Sequence, residues 1–289
     1  MRVRRPTVLQ GGAATKQRRP TNDRSCLLTA APASFRLPFP RRWERSRPVT
    51  AVVPHRTDPR PAGTRGPQAS LEGLLRDVFR HDAFRGPQRD VCEAVARGED
   101  VLLVMPTGAG KSLCYQLPGL AREGTTLVVS PLVALIEDQV AKLQALGLRA
   151  ERIHSGRDRM ASREVCRRYL AGDLDFLFIA PERLAVAGFP EMLAKRPLGL
   201  VAIDEAHCIS HWGHDFRPEY RMLGQRLPLF RPAPIVALTA TATPAVQDDI
   251  CEQLALPKPR RFIQGFRRDN LALEVLSLLP TRRAAAVVD

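Results

Sequence analysis

Short segments of continuous apolar residues alternate with amphipathic segments of helical length from about residue 70 onward. The apolar segments include DVLLVM, TTLVVS, LDFLFIA, LGLVAID and PIVALTA, and the segments between them include LVALIEDQVAKLQALG and PAVQDDICEQL. Strands that are apolar at every position, rather than at alternate positions, are typical of a parallel sheet covered by helices on both faces. The alternation therefore predicts an α/β domain with a doubly wound, mostly parallel sheet, whose ligands bind at the carboxyl ends of the strands.

Charge is distributed unevenly along the chain of 289 residues. Residues 1–68 carry 15 basic side chains against three acidic ones, so they hold +12 of the net charge of +14. Their Pro- and Arg-rich composition predicts a disordered tail, because it offers too little apolar surface to offset the entropy of folding. A basic arm for nucleic acid, a targeting peptide and an over-extended gene start are the alternatives. We expect the folded domain at residues 69–275, with 276–289 beginning a connection to a second lobe.

Cysteine spacing and hydropathy exclude several classes of protein. The six cysteines are widely spaced and include no Cys-x-x-Cys pair, which argues against a disulfide scaffold or a zinc module. No apolar run reaches the roughly 18 residues that a membrane span needs, and no secretory signal is visible. We therefore expect a soluble intracellular protein, either cytoplasmic and nucleoid-associated in a bacterium or nuclear.

The first apolar strand runs directly into PTGAGKS, residues 106–112, ahead of a helical segment. A glycine-rich turn that enters a helix directs successive backbone N–H groups at one anion. The lysine of such a loop reaches the β- and γ-phosphates, and the serine hydroxyl binds Mg²⁺. The pattern predicts an ATP and Mg²⁺ site made by Thr107, Gly108, Ala109, Gly110, Lys111 and Ser112. A turn that only happens to precede Lys-Ser is the alternative, since Met105 replaces the first glycine of the general pattern.

Two acids, Asp204 and Glu205, follow the apolar segment LGLVAI. An acid at the end of a strand near a phosphate loop binds Mg²⁺, and its neighbour can orient and deprotonate the attacking water. We therefore predict that Asp204 is the second Mg²⁺ ligand and that Glu205 is a catalytic base. A solvated turn is the alternative for an isolated Asp-Glu pair.

Longer motifs identify a family. The DEAH sequence after that strand, together with PTGAGKS and LTATAT, resembles the superfamily 2 helicases. The segments GKSLCYQLP, SPLVALIEDQV, APERL and DEAHCISHWGHDFRPEY narrow the resemblance to the RecQ family of ATP-dependent DNA helicases. The resemblance covers roughly residues 70–275. It implies the first RecA-like, P-loop lobe of a 3′-to-5′ DNA helicase, with ATP, Mg²⁺ and single-stranded or partly unwound DNA as ligands.

The resemblance assigns further residues to the nucleotide. FRHDAFRGPQ resembles the adenine-reading motif of the family, in which Gln88 would bond the base edge, helped by Arg85 and His81. This chain has Arg-Gly-Pro-Gln where the family usually has Arg-Pro-Gly-Gln, which would tilt the loop without removing the glutamine. Ala109 replaces a frequent glycine, and we expect nucleotide binding to survive that change. His207 would couple the catalytic acids to LTATAT through the hydroxyls of Thr239 and Thr241.

The same resemblance assigns residues to DNA. Two motifs would grip the single-strand backbone, through Ser130, Pro131, Leu132, Pro181, Glu182 and Arg183. The segment after DEAH, residues 211–217 and here called the aromatic loop, would contact bases and phosphates through Trp212, His214, Phe216 and Arg217. Aromatic faces on which bases stack are worth about 1–3 kcal/mol per base. Ordinary strand-ending loops are the alternative for the first set, and buried packing is the alternative for Trp212 and Phe216.

Histidines in this stretch raise the question of a metal site. His207, His211 and His214 are spaced four and three residues apart, as helical ligands would be. Gly213 and Pro218 indicate a loop instead, in which that spacing need not bring the rings together. Cys208 directly follows His207 and would be strained as a second ligand. We therefore expect no metal site made by these histidines.

The family resemblance predicts one activity for a complete helicase and a lesser activity for this chain alone. Helicases of this type close ATP between two lobes, and this chain ends where the second lobe would begin. We expect this chain alone to bind nucleotide and to bind DNA weakly, without unwinding it. A DEAD-box-like RNA helicase lobe, a non-catalytic nucleotide- or nucleic-acid-binding module acting on a partner helicase, and a fragment made by a frameshift or early stop are the alternatives.

Overall fold

The structure is a computed structural model that describes residues 70–213 and 215–265. These residues form one sheet with the strand order β3-β4-β2-β5-β6-β1-β7. In chain order, the strands β1 to β7 are Val101–Val104, Thr125–Val129, Ala150–Ile153, Phe176–Ile179, Leu198–Ile203, Ile235–Thr239 and Arg260–Ile263. Every neighbouring pair of these strands is parallel. The predicted α/β fold with a parallel sheet is confirmed.

Helices connect the strands. In chain order, α1 to α9 are Leu71–Asp77, Gln88–Ala96, Leu113–Ala121, Val133–Ala145, Arg159–Ala171, Phe189–Leu193, Pro218–Arg221, Leu223–Arg226 and Pro244–Gln253. Short 3-10 helices occupy Pro181–Ala185, Ala206–Ile209 and Leu227–Phe230. The helix after the phosphate loop begins at Leu113, and residues 206–230 contain short helices where Gly213 and Pro218 indicated a loop. No helix among the described residues is long and apolar enough to span a membrane.

Two apolar cores lie on opposite faces of the sheet. Leu102 and Val104 of β1 belong to one core, whereas Val101 and Leu103 belong to the other, because successive side chains of a strand point to opposite faces. Strands β1, β2, β4, β5 and β6 are buried at every position. Burial on both faces explains why these strands are apolar throughout rather than at alternate positions.

Polar side chains set where the connections begin. Ser70, Asp158 and Thr243 cap the amino termini of α1, α5 and α9 by accepting a hydrogen bond from a backbone N–H three residues later. At the start of the sheet, Asp100 accepts from the Ile235 N–H at 2.8 Å and pairs with Arg231 through both carboxylate oxygens. These contacts align β1 with β6, so the loops that follow the two strands lie side by side.

The proposed tail at residues 1–68 and the segment 276–289 lie outside the described residues, so the domain limits stay a prediction.

Candidate functional site

The loop after β1 has the backbone of a phosphate-binding loop. Gly108 and Gly110 have φ angles of +81° and +87°, a region that favours glycine, whereas Ala109 between them does not have a positive φ. Ala109 therefore causes no backbone strain in the loop, and the expectation that nucleotide binding survives this replacement stays a prediction. Lys111 donates from Nζ to the Met105 carbonyl at 3.0 Å, and burial lowers the pKa of its ammonium group, against the raising effect of Glu205 and Asp204.

Gln88, the first residue of α2, supports this loop directly. Its Nε2 donates to the carbonyls of Ala109 at 3.3 Å and Gly110 at 3.2 Å, and its Oε1 accepts from the Arg85 N–H at 2.8 Å. The amide is therefore occupied by the protein backbone in this structure. His81 and Arg85 are exposed, and neither side chain forms a hydrogen bond within the described part of the chain. Their assignment to the adenine base stays a prediction.

Asp204 and Glu205 lie at the carboxyl end of β5. Burial, followed by the neighbouring charge of Glu205, raises the pKa of Asp204 to about 6. The Glu205 N–H donates to Asp204 Oδ1 at 3.0 Å, and Glu205 has a φ angle of +47°. A non-glycine residue in this region is strained, and such strain concentrates at functional sites. The turn directs two carboxylates toward the phosphate loop, where Lys111 interacts electrostatically with both.

His207 joins the acids to the loop after β6. Its Nδ1 lies 2.9 Å from the Thr239 hydroxyl and 3.3 Å from Glu205 Oε2. The Thr239 hydroxyl donates its one proton to the Thr241 carbonyl at 3.2 Å, so it accepts from Nδ1, and the His207 tautomer with a proton on Nδ1 follows. The contact predicted for Thr239 is present. Thr241 contacts Thr239 through its backbone and its side chain is exposed, so the role predicted for its hydroxyl stays a prediction.

In the aromatic loop, the Trp212 ring is exposed to solvent and the Phe216 ring is half-buried. Trp212 is 78% exposed, so the alternative that it is a packing residue is wrong. Phe216 is half-buried, with its ring centroid 3.9 Å from that of His211 and the Arg221 guanidinium 5.7 Å away. Gly213 explains how the loop turns, since a Cβ there would lie 2.5 Å from the His207 carbonyl oxygen. His214 lies outside the described residues.

Arg217 joins the aromatic loop to the end of β2. Its Nε and Nη2 donate to Asp215 Oδ2 at 3.2 and 3.0 Å, and its Nη1 donates to the Pro131 carbonyl at 3.1 Å. The Asp215 carboxylate raises the pKa of Arg217, so the guanidinium stays charged. Through Pro131, the loop contacts one of the two segments that the family resemblance assigned to DNA.

The residues assigned to the DNA backbone differ in their exposure. Leu132 is exposed and Pro131 is half-buried, whereas Ser130 is buried with no hydrogen bond to its hydroxyl among the described residues. In the second segment, Pro181 is buried and Glu182 is half-buried. The Arg183 guanidinium lies over the Phe189 ring at 5.0 Å. Pro131 and Leu132 are therefore accessible as the structure stands, and Pro181 and Arg183 pack within the domain.

Candidate metal-binding atoms of a histidine, a cysteine and an aspartate lie close together in the described part of the chain. The His211 ring stacks on Phe216, with the ring centroids 3.9 Å apart, and His214 lies outside the described residues. Cys208, predicted to be strained as a second ligand, nevertheless has its Sγ 3.7 Å from His207 Nε2. Asp215 completes a cluster in which candidate ligand atoms of the three residues lie within 4.8 Å of one another.

One cleft of about 540 Å³ connects these features. Thr107 of the phosphate loop, Glu205 and Thr241 line it, together with Pro131 and Leu132. His207, Cys208, Asp215 and Ala240 also line it. The cleft opens at the carboxyl ends of the strands, where ligands bind in sheets of this type.

Residues 85–250 match the model of the DEAD/DEAH box helicase family, which is more than half of the chain. The chain belongs to the DEAD/DEAH box helicase family.

Full-length relatives of this helicase domain include RecQ proteins, as the motifs predicted. The chain is 44% identical over 198 residues to the ATP-dependent DNA helicase RecQ of Haemophilus influenzae, covering 68% of this chain and 32% of that protein. It is 42% identical over 207 residues to RecQ of Bacillus subtilis, covering 71% and 35%. It is 44% identical over 206 residues to the ATP-dependent DNA helicase Q-like 2 of Arabidopsis thaliana, covering 69% and 29%. The chain spans about a third of the length of these curated relatives.

Solved helicases share the fold. The crystal structure of the DUF1998 helicase MrfA bound to DNA and AMPPNP has a TM-score of 0.52 and 22% identity, covering 68% of this chain and 29% of that one. The structure of MrfA bound to DNA has a TM-score of 0.53 and 20% identity, covering 67% and 28%. At this identity the likeness confirms the RecA-like fold of the helicase domain.

Sequence reasoning missed some residues of this helicase site. The Tyr220 hydroxyl donates to the Asp204 carbonyl at 2.9 Å, and Asp215 holds Arg217 and contacts Cys208. The spacing of Tyr220 and Asp204 carries no signal, because a contact across 16 residues of irregular chain depends on the path of that chain. The Met105 carbonyl, which accepts from Lys111, has no side-chain signature at all.

Proposed function

We propose that this helicase domain binds ATP with Mg²⁺ and single-stranded DNA, as the nucleotide-binding lobe of a RecQ-type, ATP-dependent 3′-to-5′ DNA helicase. The observation that carries the proposal is the position of His207, whose Nδ1 lies 3.3 Å from Glu205 and 2.9 Å from Thr239. Glu205 and the P-loop residue Thr107 line the same cleft as Pro131 and Leu132, the accessible residues of the proposed DNA site. Ligands of the two proposed sites would therefore share one cleft, which His207 also lines.

The nucleotide part of the proposal rests on the loop after β1. Two glycines with positive φ open the loop backbone toward the start of α3, and Lys111 projects from it beside two carboxylates. Lys111 would contact the β- and γ-phosphates, replacing its present hydrogen bond to the Met105 carbonyl. Glu205 would orient the attacking water, with His207 holding its carboxylate.

The residues present fit a magnesium ion. Asp204 and Ser112 offer a carboxylate and a hydroxyl oxygen, the ligand type that Mg²⁺ prefers. Burial and the charge of Glu205 raise the pKa of Asp204, so a cation would relieve the cost of its charged form. When bound with ATP, Mg²⁺ neutralises phosphate charge that develops during phosphoryl transfer.

The DNA part of the proposal rests on the aromatic loop. Trp212 offers an exposed ring for base stacking, and Arg217 offers a charged guanidinium anchored at Pro131. A role on DNA would place the protein at the nucleoid or in the nucleus. The similar RecQ proteins are named as DNA helicases, which favours DNA over RNA for this chain.

The test measures coupling by equilibrium binding, so it needs no turnover. The affinity of the 289-residue chain for a labelled single-stranded oligonucleotide is measured by fluorescence anisotropy with and without a non-hydrolysable ATP analogue and Mg²⁺. We expect nucleotide to change the DNA affinity by about fivefold or more, the usual lower range of coupling between sites. A ribo-oligonucleotide of the same sequence should bind more weakly than DNA.

Two variants separate binding from coupling. His207→Ala should keep measurable affinity for each ligand alone and lose the effect of one on the other. Lys142→Ala, which removes an exposed lysine paired with Asp138 on α4, should behave as the wild type. Equal affinity for RNA and DNA would contradict the DNA assignment, and no binding of the nucleotide analogue would contradict the ATP assignment.

A further inference from the structure

Three side chains of different chemistry meet in the cleft beside the catalytic acids. Cys208 Sγ lies 3.7 Å from His207 Nε2 and 3.8 Å from Asp215 Oδ2. In a tetrahedral zinc site with bonds of about 2.0–2.3 Å, neighbouring ligand atoms are about 3.5 Å apart. These two separations exceed that value by a few tenths of an ångström, and all three candidate ligand atoms lie within 4.8 Å of one another, so a cation would draw them together through side-chain shifts.

His207 is oriented as a metal-binding histidine would be. Its Nδ1 donates to the Thr239 hydroxyl and faces the Glu205 carboxylate, so Nε2 carries the lone pair and faces the thiol. Histidines that bind metals use the other ring nitrogen in this way, with a hydroxyl, carbonyl or carboxylate fixing the tautomer. The ring is nearly fully buried, which restricts its rotation.

Cys208 and Asp215 are held beside it. Cys208 is buried in the 3-10 helix Ala206–Ile209, and the Arg217 N–H donates to its carbonyl at 2.8 Å. Asp215 is exposed, and two donors of Arg217 hold its Oδ2 next to the thiol. All three residues line the cleft, so an ion and a water molecule as fourth ligand can enter from solvent.

We propose that His207, Cys208 and Asp215 form a binding site for a thiophilic divalent cation of the zinc class, separate from the magnesium site at Ser112 and Asp204. The mixture of thiolate, imidazole and carboxylate selects zinc-like ions, whereas Mg²⁺ prefers oxygen ligands alone. Binding exchanges the thiol proton of Cys208 for the cation and releases that proton to solvent, with no change of oxidation state.

Occupation of this site would restrain the helicase cycle. It ties Asp215 of the aromatic loop to the turn that carries Glu205, and it fixes the Nδ1 proton of His207 toward Thr239. The loop and the acids then lose their freedom to move relative to each other. This inhibitory consequence rests on the proposed function, but occupation of the site itself does not.

Cobalt(II) is the probe for occupation. Titration of the untagged, reduced 289-residue protein with Co²⁺, without nucleotide or DNA, should give a near-ultraviolet thiolate-to-cobalt charge-transfer band and intense visible bands of tetrahedral Co²⁺. One equivalent of Zn²⁺ should remove both. A large excess of Mg²⁺ should leave them unchanged. X-ray absorption of the zinc-loaded protein should show one sulfur and two or three nitrogen or oxygen neighbours.

Variants assign the signal to this cluster. Cys208→Ala should abolish the charge-transfer band. Asp215→Asn, a change at an exposed residue, should weaken Co²⁺ binding by more than the ~10–100-fold that loss of an outer-shell partner costs. Cys166→Ser, at a half-buried cysteine on α5, is the matched control and should bind Co²⁺ as the wild type does. Circular dichroism confirms that each variant is folded.

Two results would overturn the site. A charge-transfer band that persists in Cys208→Ala, or affinity unchanged by Asp215→Asn, would place the ion elsewhere. Absence of any charge-transfer band in the folded wild type would show that the cluster binds no such cation.

The inhibitory consequence has a separate readout. Saturating Zn²⁺ should reduce the effect of nucleotide on DNA affinity at least fivefold in the wild type and leave that effect intact in Cys208→Ala. If the cobalt bands appear but zinc leaves coupling unchanged, the site stands and its inhibitory role is wrong. If neither protein shows coupling without zinc, the proposed function fails and the cobalt result is unaffected.

Discussion

The Tyr220 hydroxyl donates a 2.9 Å hydrogen bond to the main-chain carbonyl of Asp204. Tyr220 is fully buried in α7, directly after the aromatic loop, and Asp204 ends β5. Burial raises the pKa of the phenol well above its ordinary range, so it stays a neutral donor. The segment that follows the proposed DNA contact is therefore attached to the backbone of the proposed Mg²⁺ ligand.

Tyr220→Phe should weaken Mg²⁺-nucleotide binding as well as the fold. Loss of the hydrogen bond should cost about 1 kcal/mol of unfolding free energy in urea titrations. Because Asp204 loses an anchor at its own carbonyl, the dissociation constant of a fluorescent ATP analogue with Mg²⁺ should rise severalfold. Tyr169→Phe is the matched control. The Tyr169 hydroxyl donates a 2.6 Å hydrogen bond to the Leu193 carbonyl, and neither residue lines the cleft. The control variant should lose similar stability with unchanged nucleotide affinity; equal affinities in both variants would contradict the role of Tyr220.

Asp204 should make the cation-free protein less stable as the pH rises from about 4 to about 6. Burial and Glu205 raise its pKa from 3.8 to about 6, so the folded state binds a proton that the unfolded state has already released. The stabilisation from this bound proton is fully present below pH 3.8. It is lost as the pH rises through the folded-state pKa of about 6, and the loss of unfolding free energy is up to about 3 kcal/mol. Urea unfolding of the wild type and Asp204→Asn at several pH values checks this. The wild type should lose unfolding free energy relative to the variant between about pH 4 and about pH 6. If the unfolding free energies of the two proteins change with pH in parallel, the raised pKa of Asp204 is contradicted.

Gly110→Ala should weaken nucleotide binding as well as destabilise the backbone of the loop. A Cβ at Gly110 would lie 2.4 Å from Gln88 Nε2 and would displace the side chain that supports the P-loop. Gly147→Ala is the control, because Gly147 has a similar φ of +79° and open space around it. Each substitution should cost about 1–2 kcal/mol for the left-handed backbone. Only Gly110→Ala should weaken binding of the fluorescent ATP analogue, and equal loss of affinity in both would refute the contact with Gln88.

Trp212→Ala should weaken single-stranded DNA binding without destabilising the fold. The ring is 78% exposed, so its removal leaves no cavity. Loss of one stacked base should cost about 1–3 kcal/mol, or roughly 5- to 150-fold in the dissociation constant. Met160→Ala on α5 removes a side chain that is 68% exposed and should change neither quantity. A variant with wild-type DNA affinity would show that the ring does not stack on bases.

Much of the fold could be predicted from local sequence, as could the positions of several residues proposed for the site. The apolar strands, the glycines of the P-loop and the acids after β5 depend on neighbours within a few residues, and their patterns were sufficient. Asp204, Glu205, Lys111 and His207 were named from motifs, and the structure places all four at the cleft or beside it. The nucleotide and DNA assignments of individual residues stay predictions for the experiments above.

The amino-acid sequence by itself determined the parallel sheet and the position of its phosphate loop, because burial on both faces and a glycine turn leave direct local patterns. Only the tertiary structure decided which side chains meet across the irregular chain after β5. Tyr220 reaches Asp204, Cys208 meets Asp215, and Gln88 is occupied by the P-loop backbone. Such contacts depend on the path of a loop whose turns are set by close packing, such as that of Gly213 against the His207 carbonyl, and not on any spacing of residue types.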